Sequence, residues 1–453
     1  MEKKRIVFLI DHKGRDLMGA ALIAHHLENL GYEAHLEPLQ AFKSVITAWK
    51  PAMVIVNQLV HSNMTAYSAN LNKWGILVGC LINEGLCLTD SYRKYLSKPQ
   101  FDDLHCDLFL TWNTLHRDEL IKYKLVTPPE NAIAVGCPRF DFYKSPWNRA
   151  FLKKRNNSRI NLLLNTTFAV AHFYNRPEEE QIQLYKSMGD GQVKETVDYK
   201  SLIKAHHDGM NKLPEFLTPL LESGEYNITL RPHPREELTF YKNFIANLPK
   251  DQKSLINLDK KESIQSAIIN SDIILNCEDC TTSVESWIAS KPTLTLTFAK
   301  NPVFFTQTYA DKAPQVSSPK NLIPAIQHAL DNPKQADYTP LREKYLHQWL
   351  FKVDGKSALR AAEAIHDTIK EKATHPEFPK DFSNIRRGMK LRLLNLMNEP
   401  SHAQSGQILR RIFMGDKGQH SLRYRNYLKA VRRSDARKAM EDIQKAQSTS
   451  STL

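Results

Sequence analysis

The sequence has few cysteines, and their positions follow no dense pattern. Such scattered thiols exclude a disulfide-stapled scaffold and predict a reducing compartment. The 453 residues include six of them, at Cys80, Cys87, Cys106, Cys137, Cys277 and Cys280. The last two form a C-x-x-C pair without the second pair or the histidines of a zinc site, and the acidic residues between them oppose thiolate formation. We therefore predict neither a structural metal nor a redox centre.

Long hydrophobic runs are also absent. No segment approaches the roughly 18 consecutive apolar residues that a membrane-spanning helix requires. The first apolar run, from Ile6 to Ile10, is too short for a secretory signal peptide. These two features predict a cytoplasmic protein.

The positive charge is concentrated near the C-terminus. Residues 384–453 contain 15 Lys or Arg but 5 Asp or Glu, so the first 383 residues are close to neutral although the whole chain carries +13. At helical spacing, residues 384–398 place apolar side chains on one face and basic ones on the rest, which is typical of a helix on anionic lipid. The apolar face comprises Ile385, Met389, Leu393, Leu396 and Met397, and the basic residues are Arg386, Arg387, Lys390 and Arg392.

From this pattern we predict that residues 384–453 contact an anionic membrane surface, at the inner face of the cell membrane. The alternative is a helix packed on the protein with a solvated basic face. Further basic residues extend the positive surface, with Tyr424 and Tyr427 among them: Arg410, Arg411, Arg423, Arg425, Lys429, Arg432, Arg433, Arg437 and Lys438. Nucleic acid is not a predicted partner, because no nucleic-acid-binding module is recognisable.

Short apolar strands alternate with amphipathic helices along most of the chain. The pattern runs through residues 4–135, and it restarts at residue 160 after a polar, basic link at 146–157. Such alternation predicts parallel sheets covered by helices on both faces. We expect an α/β protein with two Rossmann-like domains facing a cleft, at residues 1–148 and 158–372. A basic helical tail follows at 373–453.

One segment, Tyr226 to Glu236, combines a buried strand with a cluster of charge. The apolar run ends in Arg-Pro-His-Pro-Arg, and the two prolines stop the strand where the charged side chains begin. In an open α/β sheet, the C-terminal end of a strand lies at the edge where ligands bind. Arg231 and His233 suit a phosphate there, because guanidinium supplies a fork of donors and imidazole exchanges a proton near neutral pH. Arg235 is a weaker candidate, and a solvated turn is the alternative.

A second cluster follows the predicted strand at 272–276. Hydroxyl side chains and free backbone N–H groups at a helix N-terminus favour an anion, and Thr281, Thr282 and Ser283 occupy that position. A capping role at the start of that helix would account equally well for the hydroxyl of Thr282 or of Ser283. Glu285, in the first turn, suits ribose hydroxyls or simply complements the helix dipole.

These motifs together resemble the donor-binding half of GT-B glycosyltransferases. The spacing of R-P-H-P and T-T-S-x-E is similar to that in bacterial surface-carbohydrate biosynthesis proteins, and to CDP-glycerol transferases and retaining Kdo transferases. The first half resembles the same family at its E-G, D-x-x-x-x-W-G and V-G-x-P-R-x-D motifs, and Asp354-Gly355 resembles its closing D-G motif. The resemblance covers roughly residues 1–370. The matching segments are Asn83 to Gly85, Asp107 to Asn113, Val135 to Asp141 and Asp354 to Ser357. Asn113 stands where the family has Gly.

The resemblance implies roles for the candidate residues. Arg231 and His233 would bind the donor phosphate, Thr281, Thr282 and Ser283 would meet it from the helix start, and Glu285 would hold the ribose. Residues 1–148 would bind the acceptor. Glu84 follows an apolar strand, so its position makes it a candidate base for the acceptor hydroxyl, with a carboxylate that caps a neighbouring loop as the alternative. His12 or Asp16, in the loop after the first strand, could serve in its place. Asp141 is expected to cap the helix that follows Phe140.

The predicted function is therefore transfer of a sugar from a nucleotide-sugar co-substrate to a surface polysaccharide or lipopolysaccharide acceptor, which we expect to be lipid-linked. No Asp-x-Asp pair occupies a strand-end loop, and Asp102-Asp103 lies in a helix or loop. A mechanism without metal or resident cofactor is favoured. The alternatives are a polyol-phosphate transferase with a CDP-alcohol donor and a catalytically silent binding partner of a glycan-synthesis complex.

Overall fold

The computed structural model describes residues 3–59, 62–86, 104–155, 158–187, 198–259, 262–297, 308–372, 375–400, 427 and 430–448. The chain forms two compact units. The first comprises Met1–Ala150 and His347–Leu453, and the second comprises Phe151–Leu346. The change from the first to the second falls inside the predicted link at 146–157.

The first unit is built on a parallel sheet that begins at the N-terminus. Its strands are β1 (Arg5–Ile10), β2 (Glu33–Pro38), β3 (Met53–Val56), β4 (Leu77–Leu81), β5 (Leu108–Thr111) and β6 (Ala132–Ala134). They pair in the order β2-β1-β3-β4-β5-β6. The helices between them are α1 (Lys13–Asn29), α2 (Val45–Trp49), α3 (Ser62–Lys73) and α4 (Thr114–Lys122). The connections reverse direction between β1 and β3, which makes this the switch point of the sheet.

The second unit repeats the design with a different strand order. Its strands are β7 (Ile160–Asn165), β8 (Tyr226–Arg231), β9 (Ile256–Leu258), β10 (Ile273–Cys277), β11 (Thr293–Leu296) and β12 (Gln315–Val316). All pairs are parallel, in the order β12-β11-β10-β7-β8-β9. This is the Rossmann arrangement, with the switch point between β7 and β10.

The helices of the second unit cover this sheet. They are α5 (Glu178–Ser187), α6 (Tyr199–Ser223), α7 (Thr239–Asn247), α8 (Lys250–Lys253), α9 (Ile264–Ile269), α10 (Thr282–Ile288) and α11 (Leu322–Asp331). One apolar core joins strand residues such as Leu164, Leu230 and Leu275 to Leu217 and Leu220 of α6. Two parallel, Rossmann-like sheets in succession confirm the predicted fold class, which is the domain composition of a GT-B-like protein.

In the last turn of α12 (Thr339–Trp349), at His347, the chain returns to the first unit. The remaining described helices are α13 (Ser357–Glu371), α14 (Phe382–Leu396) and α15 (Arg433–Ser448). The predicted domain boundary at 372 therefore differs from the structure, in which residues 347–372 belong to the first unit. The reason is that α13 buries its apolar face on α1 and on the segment Pro138–Tyr143.

Asp141 joins these parts of the first unit. Its carboxylate accepts hydrogen bonds from the backbone N–H groups of Ser357 (3.0 Å) and Ala358 (2.7 Å). Asp141 thus caps α13, and the prediction that it caps the helix after Phe140 is wrong. The V-G-x-P-R-x-D motif therefore contacts the D-G motif and the start of α13. A second contact joins the same segments, because the Arg360 side chain donates to the carbonyl of Val135 (2.9 Å).

The predicted tail is likewise part of the first unit in its described portions. Helix α14 packs on α2, where Gly388 lies against Thr47 and the Arg392 guanidinium donates to the carbonyl of Ala48. Helix α15 packs on α1 and pairs Asp435 with Lys13 (3.3 Å). Among the described residues, none of the helices is long and apolar enough to cross a membrane. Some predicted basic residues of the tail lie outside the described residues: Arg410, Arg411, Arg423, Arg425 and Lys429.

Candidate functional site

A row of polar residues crosses three neighbouring strands of the second sheet at its C-terminal edge. Asn165 ends β7 and lies in register with Arg231 of β8 on one side and with Asn276 of β10 on the other. The Asn165 amide donates to the Asn276 side chain (2.9 Å), and Asn276 donates to the hydroxyl of Ser283 (2.9 Å). Strands in a sheet are about 4.8 Å apart, so the row spans roughly 10 Å. It lies at the switch point, where open α/β sheets bind their ligands.

The Arg-Pro-His-Pro turn beside this row is held by a buried carboxylate, that of Glu236. It accepts hydrogen bonds from the backbone N–H groups of His233 (3.0 Å) and Phe168 (2.9 Å). It also accepts from the hydroxyls of Thr166 (2.8 Å) and Tyr241. Burial raises the pKa of the Glu236 carboxyl, against the opposing effect of these hydrogen bonds. Glu236 therefore fixes the backbone of the turn that carries the imidazole.

The imidazole of His233 has a defined hydrogen-bonding pattern. Its Nδ1 accepts from the backbone N–H of Arg235 (3.2 Å), so the neutral ring carries its proton on Nε2. His206 of α6 is a neighbour that the sequence did not indicate. Burial, with a smaller contribution from charge on His233, lowers the pKa of His206 to about 4. His206 is therefore neutral at pH 7.

Arg231 is already paired within the second unit. Its Nη1 donates to a carboxylate oxygen of Asp259 (3.0 Å), and 20% of its side chain is exposed. The Asp259 carboxylate also accepts from the backbone N–H of Glu262 (3.1 Å), which holds it in place. A guanidinium has five N–H donors, so this contact orients Arg231 without using all of them.

The start of α10 places the three predicted hydroxyls differently. Thr281 is exposed at the N-cap position, and its side chain makes no capping hydrogen bond. The hydroxyl of Thr282 contacts the thiol of Cys280. Ser283 has no exposed surface, and its hydroxyl accepts from Asn276. Ser283 therefore orients the Asn276 side chain at the end of β10 and does not face solvent. Glu285 is 9% exposed in the first turn of the helix.

The C-x-x-C segment before α10 has a structural arrangement. Burial raises the pKa of the Cys277 thiol well above its usual range and that of Cys280 to about 11. Both side chains are therefore thiols at neutral pH. Between the two cysteines, the Asp279 carboxylate accepts from the backbone N–H groups of Thr308 (3.0 Å) and Tyr309 (2.6 Å). Asp279 therefore anchors the backbone at residues 308–309. Within the described parts of the chain, no cluster of three His, Cys, Asp or Glu residues could hold a metal ion.

In the first unit, Arg15 connects the predicted acid–base candidates. Its guanidinium pairs with Asp16 (2.6 Å), Asp11 (3.1 Å) and, at longer range, Glu84 (3.4 Å). The Glu84 side chain is 81% exposed and follows β4. Sequence reasoning missed Arg15, although its place in the polar turn after β1, among these carboxylates, was a usable signal.

His12 and Asp16 form the N-terminal cap of α1. The Nδ1 of His12 accepts from the backbone N–H of Gly14 (3.1 Å), and the Asp16 carboxylate accepts from the backbone N–H of His12 (3.1 Å). This reciprocal arrangement resembles a capping box. Both side chains thus have structural partners, whereas Glu84 makes a single long ion pair in the described part of the chain.

A pocket opens at the switch point of the first sheet. Apolar residues at the ends of β1, β3 and β4 form most of its lining, and the polar side chains are Arg15, Asp16, Asn57, Asn83 and Arg139. Asn57 is 6% exposed, and neither atom of its amide finds a hydrogen-bond partner in the described part of the chain. Buried amides are normally paired, so Asn57 is available to a polar ligand in this pocket.

Asn83 and Trp112 line this pocket, and the segments that carry them are in contact. A Cβ on Gly85 would lie 2.6 Å from the Trp112 ring, so only glycine fits against that face. Asn113, which replaces the family's Gly, caps α4 by accepting from the N–H of His116 (2.7 Å). Its amide also donates to the carbonyls of Gly85 (2.8 Å) and Trp349 (3.0 Å). The substitution therefore adds a cross-link within the first unit.

Comparison with known proteins gives similar structures but no family assignment. No protein-family model matches the chain, and no curated protein does. The UDP-GlcNAc 2-epimerase of Methanocaldococcus jannaschii is 14% identical, with a TM-score of 0.47 over 81% of this chain and 100% of that one. The enzyme of the same name from Neisseria meningitidis, bound to UDP-GlcNAc, is 12% identical, with a TM-score of 0.47 over 81% and 100%. The wall teichoic acid polymerase TagF is 14% identical, with a TM-score of 0.46 over 83% and 91%. Similarities this low do not identify the reaction.

Proposed function

We propose that this protein is a glycosyltransferase that moves a sugar from a nucleotide-sugar donor to a surface polysaccharide or lipopolysaccharide acceptor. The observation that carries the proposal is the polar row at the switch point of the second sheet, with His233 fixed beside it by Glu236. A Rossmann-type switch point is a nucleotide-binding position, and the side chains gathered at this one are donors suited to phosphate. The remaining steps assign a role to each group.

The donor phosphate would lie against Arg231 and His233. When the bond between the sugar and the phosphate oxygen breaks, its electron pair stays on that oxygen, and donors already in place stabilise the negative charge. His233 can donate from Nε2, because its Nδ1 is held as an acceptor. Arg231 can donate from the N–H groups that Asp259 does not use. Thr281 and Thr282 would approach the phosphate from the start of α10, while Ser283 acts indirectly by holding Asn276.

The acceptor hydroxyl must lose its proton as the new bond forms. Glu84 is the candidate base that the structure leaves most accessible, because His12 and Asp16 already cap α1. The Arg15 guanidinium, 3.4 Å from the Glu84 carboxylate, would orient that carboxylate. Asn57 would bind a hydroxyl of the acceptor in the pocket of the first unit. The mechanism uses these side chains without a resident cofactor, and Glu285 would hold the donor ribose.

The donor can be identified by thermal unfolding in the presence of CMP-, CDP-, UDP- and GDP-linked compounds. A ligand at 100 times its Kd stabilises the folded state by about 2.7 kcal/mol, which shifts the midpoint by several degrees. We expect a shift with one nucleotide-sugar and a smaller one with the free nucleotide. A shift with CDP-glycerol alone would favour the polyol-phosphate transferase instead.

Turnover of that donor separates an enzyme from a silent binding partner. We expect His233→Ala to lower kcat by about 100-fold or more, because a preorganised donor to the leaving group is removed. His328→Ala is the matched control, since His328 is an exposed residue of α11 in the same unit, and it should leave kcat unchanged. Equal turnover in both variants, or none in the wild type with any donor, would contradict the proposal.

A further inference from the structure

Helix α14 has two apolar faces, and one of them is exposed. The inner face packs on α2 through Gly388, Leu391 and Leu394, which are buried. The outer face exposes 79% of Phe382 and 72% of Leu396. The other exposed apolar residues on it are Ile385, Met389, Leu393 and Met397, at 44%, 67%, 57% and 53%. Large apolar side chains are rarely left together in this way on a monomeric surface without a partner.

The outer residues form a continuous stripe. At 100° per residue, they fall within about 120° of the helix circumference, centred opposite the inner face. The width is that of an apolar face that a helix normally buries. The predicted apolar face of residues 384–398 is therefore turned away from the protein, and a different face of the same helix attaches it to the first unit.

Charge along the helix is of one sign. The segment Phe382 to Met397 contains four basic residues and no Asp or Glu. Arg386 lies within the arc of the stripe near the start of the helix, Lys390 borders it on one side, and both are exposed. Arg392 borders it on the other side, where its guanidinium donates to the carbonyl of Ala48. An exposed apolar stripe with basic borders matches an interface of acyl chains beneath anionic headgroups.

We propose that the outer face of α14 docks the first unit on an anionic lipid surface, with the helix axis parallel to the membrane plane. Phe382, Met389 and Leu393 lie along the middle of the stripe and enter the acyl region, while Arg386 and Lys390 contact headgroup phosphates. The proposal is independent of the transferase activity, because it uses no residue of the candidate sites.

The last helix does not share this role. Helix α15 buries Ala439, Ile443 and Ala446. It packs on α1, and its surface mixes both charges, since Lys438 pairs with Asp442 (3.0 Å). Among the residues of the segment 384–453 that the structure describes, the docking surface is therefore one face of α14.

A lipid surface fits this helix better than a second copy of the chain. A two-fold interface sets the same patch against itself, so it would bring Arg386 and Lys390 of both copies together. The segment has no carboxylate to pair with them, and like charges across an interface oppose association. Anionic headgroups supply the missing negative charge.

The test is sedimentation of the full-length protein with vesicles of phosphatidylcholine alone or mixed equally with phosphatidylglycerol. Wild type should bind the mixed vesicles. Met389→Ser with Leu393→Ser should weaken binding by about tenfold or more, because two insertable side chains are lost. Arg386→Gln with Lys390→Gln should weaken it by a similar factor, and mainly at low salt.

The control variant is Leu152→Ser with Leu341→Ser, which removes two apolar side chains of similar exposure, 58% and 45%, from the second unit. It should bind as wild type does, and all variants should keep the wild-type unfolding midpoint. Mixed-vesicle binding that survives the Met389 and Leu393 substitutions would overturn the proposal. So would a dimer in sedimentation velocity that only those substitutions dissociate, since the stripe would then be an interface between copies.

Discussion

At the scale of single residues, the candidate donor site depends on side chains that touch no predicted ligand. Glu236 is the main example, because its carboxylate joins the end of β7, the histidine turn and α7 through hydrogen bonds to Thr166, His233 and Tyr241. A buried carboxylate with this many donors is costly to remove. Each buried donor left without an acceptor lowers the free energy of unfolding by about 1–3 kcal/mol.

We therefore expect Glu236→Ala to lower the free energy of unfolding by about 3 kcal/mol or more, measured by urea denaturation. It should also weaken donor binding, because the backbone of His233 loses its anchor. Glu237→Ala is the matched control. Its side chain is 47% exposed and pairs with Arg176 at the surface, so the substitution should change stability by less than about 0.5 kcal/mol. Equal effects at the two positions would show that Glu236 does not organise the turn.

Sequence reasoning selected Arg231 and His233 but not the residues that orient them. The selection was possible because prolines, a strand end and charge fall within one short segment. The partners Asp259, His206 and Thr166 are distant in the chain and belong to no local pattern. Their roles follow from strand register and helix packing, which a single sequence does not reveal.

At the scale of elements, Glu37 shows how β2, α2 and α14 are held together. It is 3% exposed at the end of β2. One of its oxygens accepts from the indole N–H of Trp49 (2.9 Å) and from the amide of Asn395 (2.8 Å). Burial raises the pKa of the Glu37 carboxyl to about 7, although these two hydrogen bonds act in the opposite direction. Both partners are neutral, so they accommodate a protonated carboxyl as well as a carboxylate.

This pKa makes stability depend on pH in a direction that can be derived. Between the unfolded value of about 4.3 and the folded value, the folded state holds the Glu37 proton more tightly than the unfolded state does. The contribution of Glu37 to stability is therefore fully present below about pH 4.3 and is lost as the pH rises through about 7. We expect Glu37→Gln, which keeps the accepting oxygen and cannot ionise, to be more stable than wild type at pH 8. The difference should reach about 3 kcal/mol and should disappear near pH 4.

Urea denaturation at a series of pH values measures this difference. Glu33→Gln is the control on the same strand, because the Glu33 side chain is 44% exposed and its ion pair with Arg5 lies at the surface. Its stability relative to wild type should change little between pH 4 and pH 8. A Glu37→Gln variant that is destabilised at pH 8 would show that the carboxylate is the favoured form.

Most elements follow from local pattern, but their order in the sheet does not. Apolar runs such as those of β1, β8 and β10, bounded by turns, were sufficient to predict strands close to their observed bounds. Periodicity cannot distinguish the order β2-β1-β3 of the first sheet from the Rossmann order of the second. It also cannot show which apolar face of α14 packs inward, because both faces carry suitable residues.

At the scale of the whole molecule, the first unit is discontinuous in sequence. The second unit, 151–346, is inserted between its two parts. Alternation of strands and helices predicted the first change of unit, because a polar link marks it. No such signal marks the point where the chain returns to the first unit, since only a short turn separates α12 from α13. The contacts of α13 with α1 and Asp141 are what assign α13 to the first unit.

This arrangement predicts which fragments fold. Residues 151–346 contain a complete core and the strand-end anchors at its start, where the Lys153 N–H donates to Asn270 (2.8 Å). We expect this fragment to be monomeric and to unfold in one cooperative transition when circular dichroism is used to monitor it. The fragment should also keep the nucleotide-dependent thermal shift. Fragment 158–372 lacks residues 151–157 and carries α13 without its partners, so it exposes the buried face formed by Ala361, Ala362, Ile365 and Ile369. It should associate in sedimentation velocity and melt at a lower temperature. If 158–372 were instead the monomeric and more stable fragment, α13 would belong to the second unit, and the division of the chain at residue 346 would be wrong.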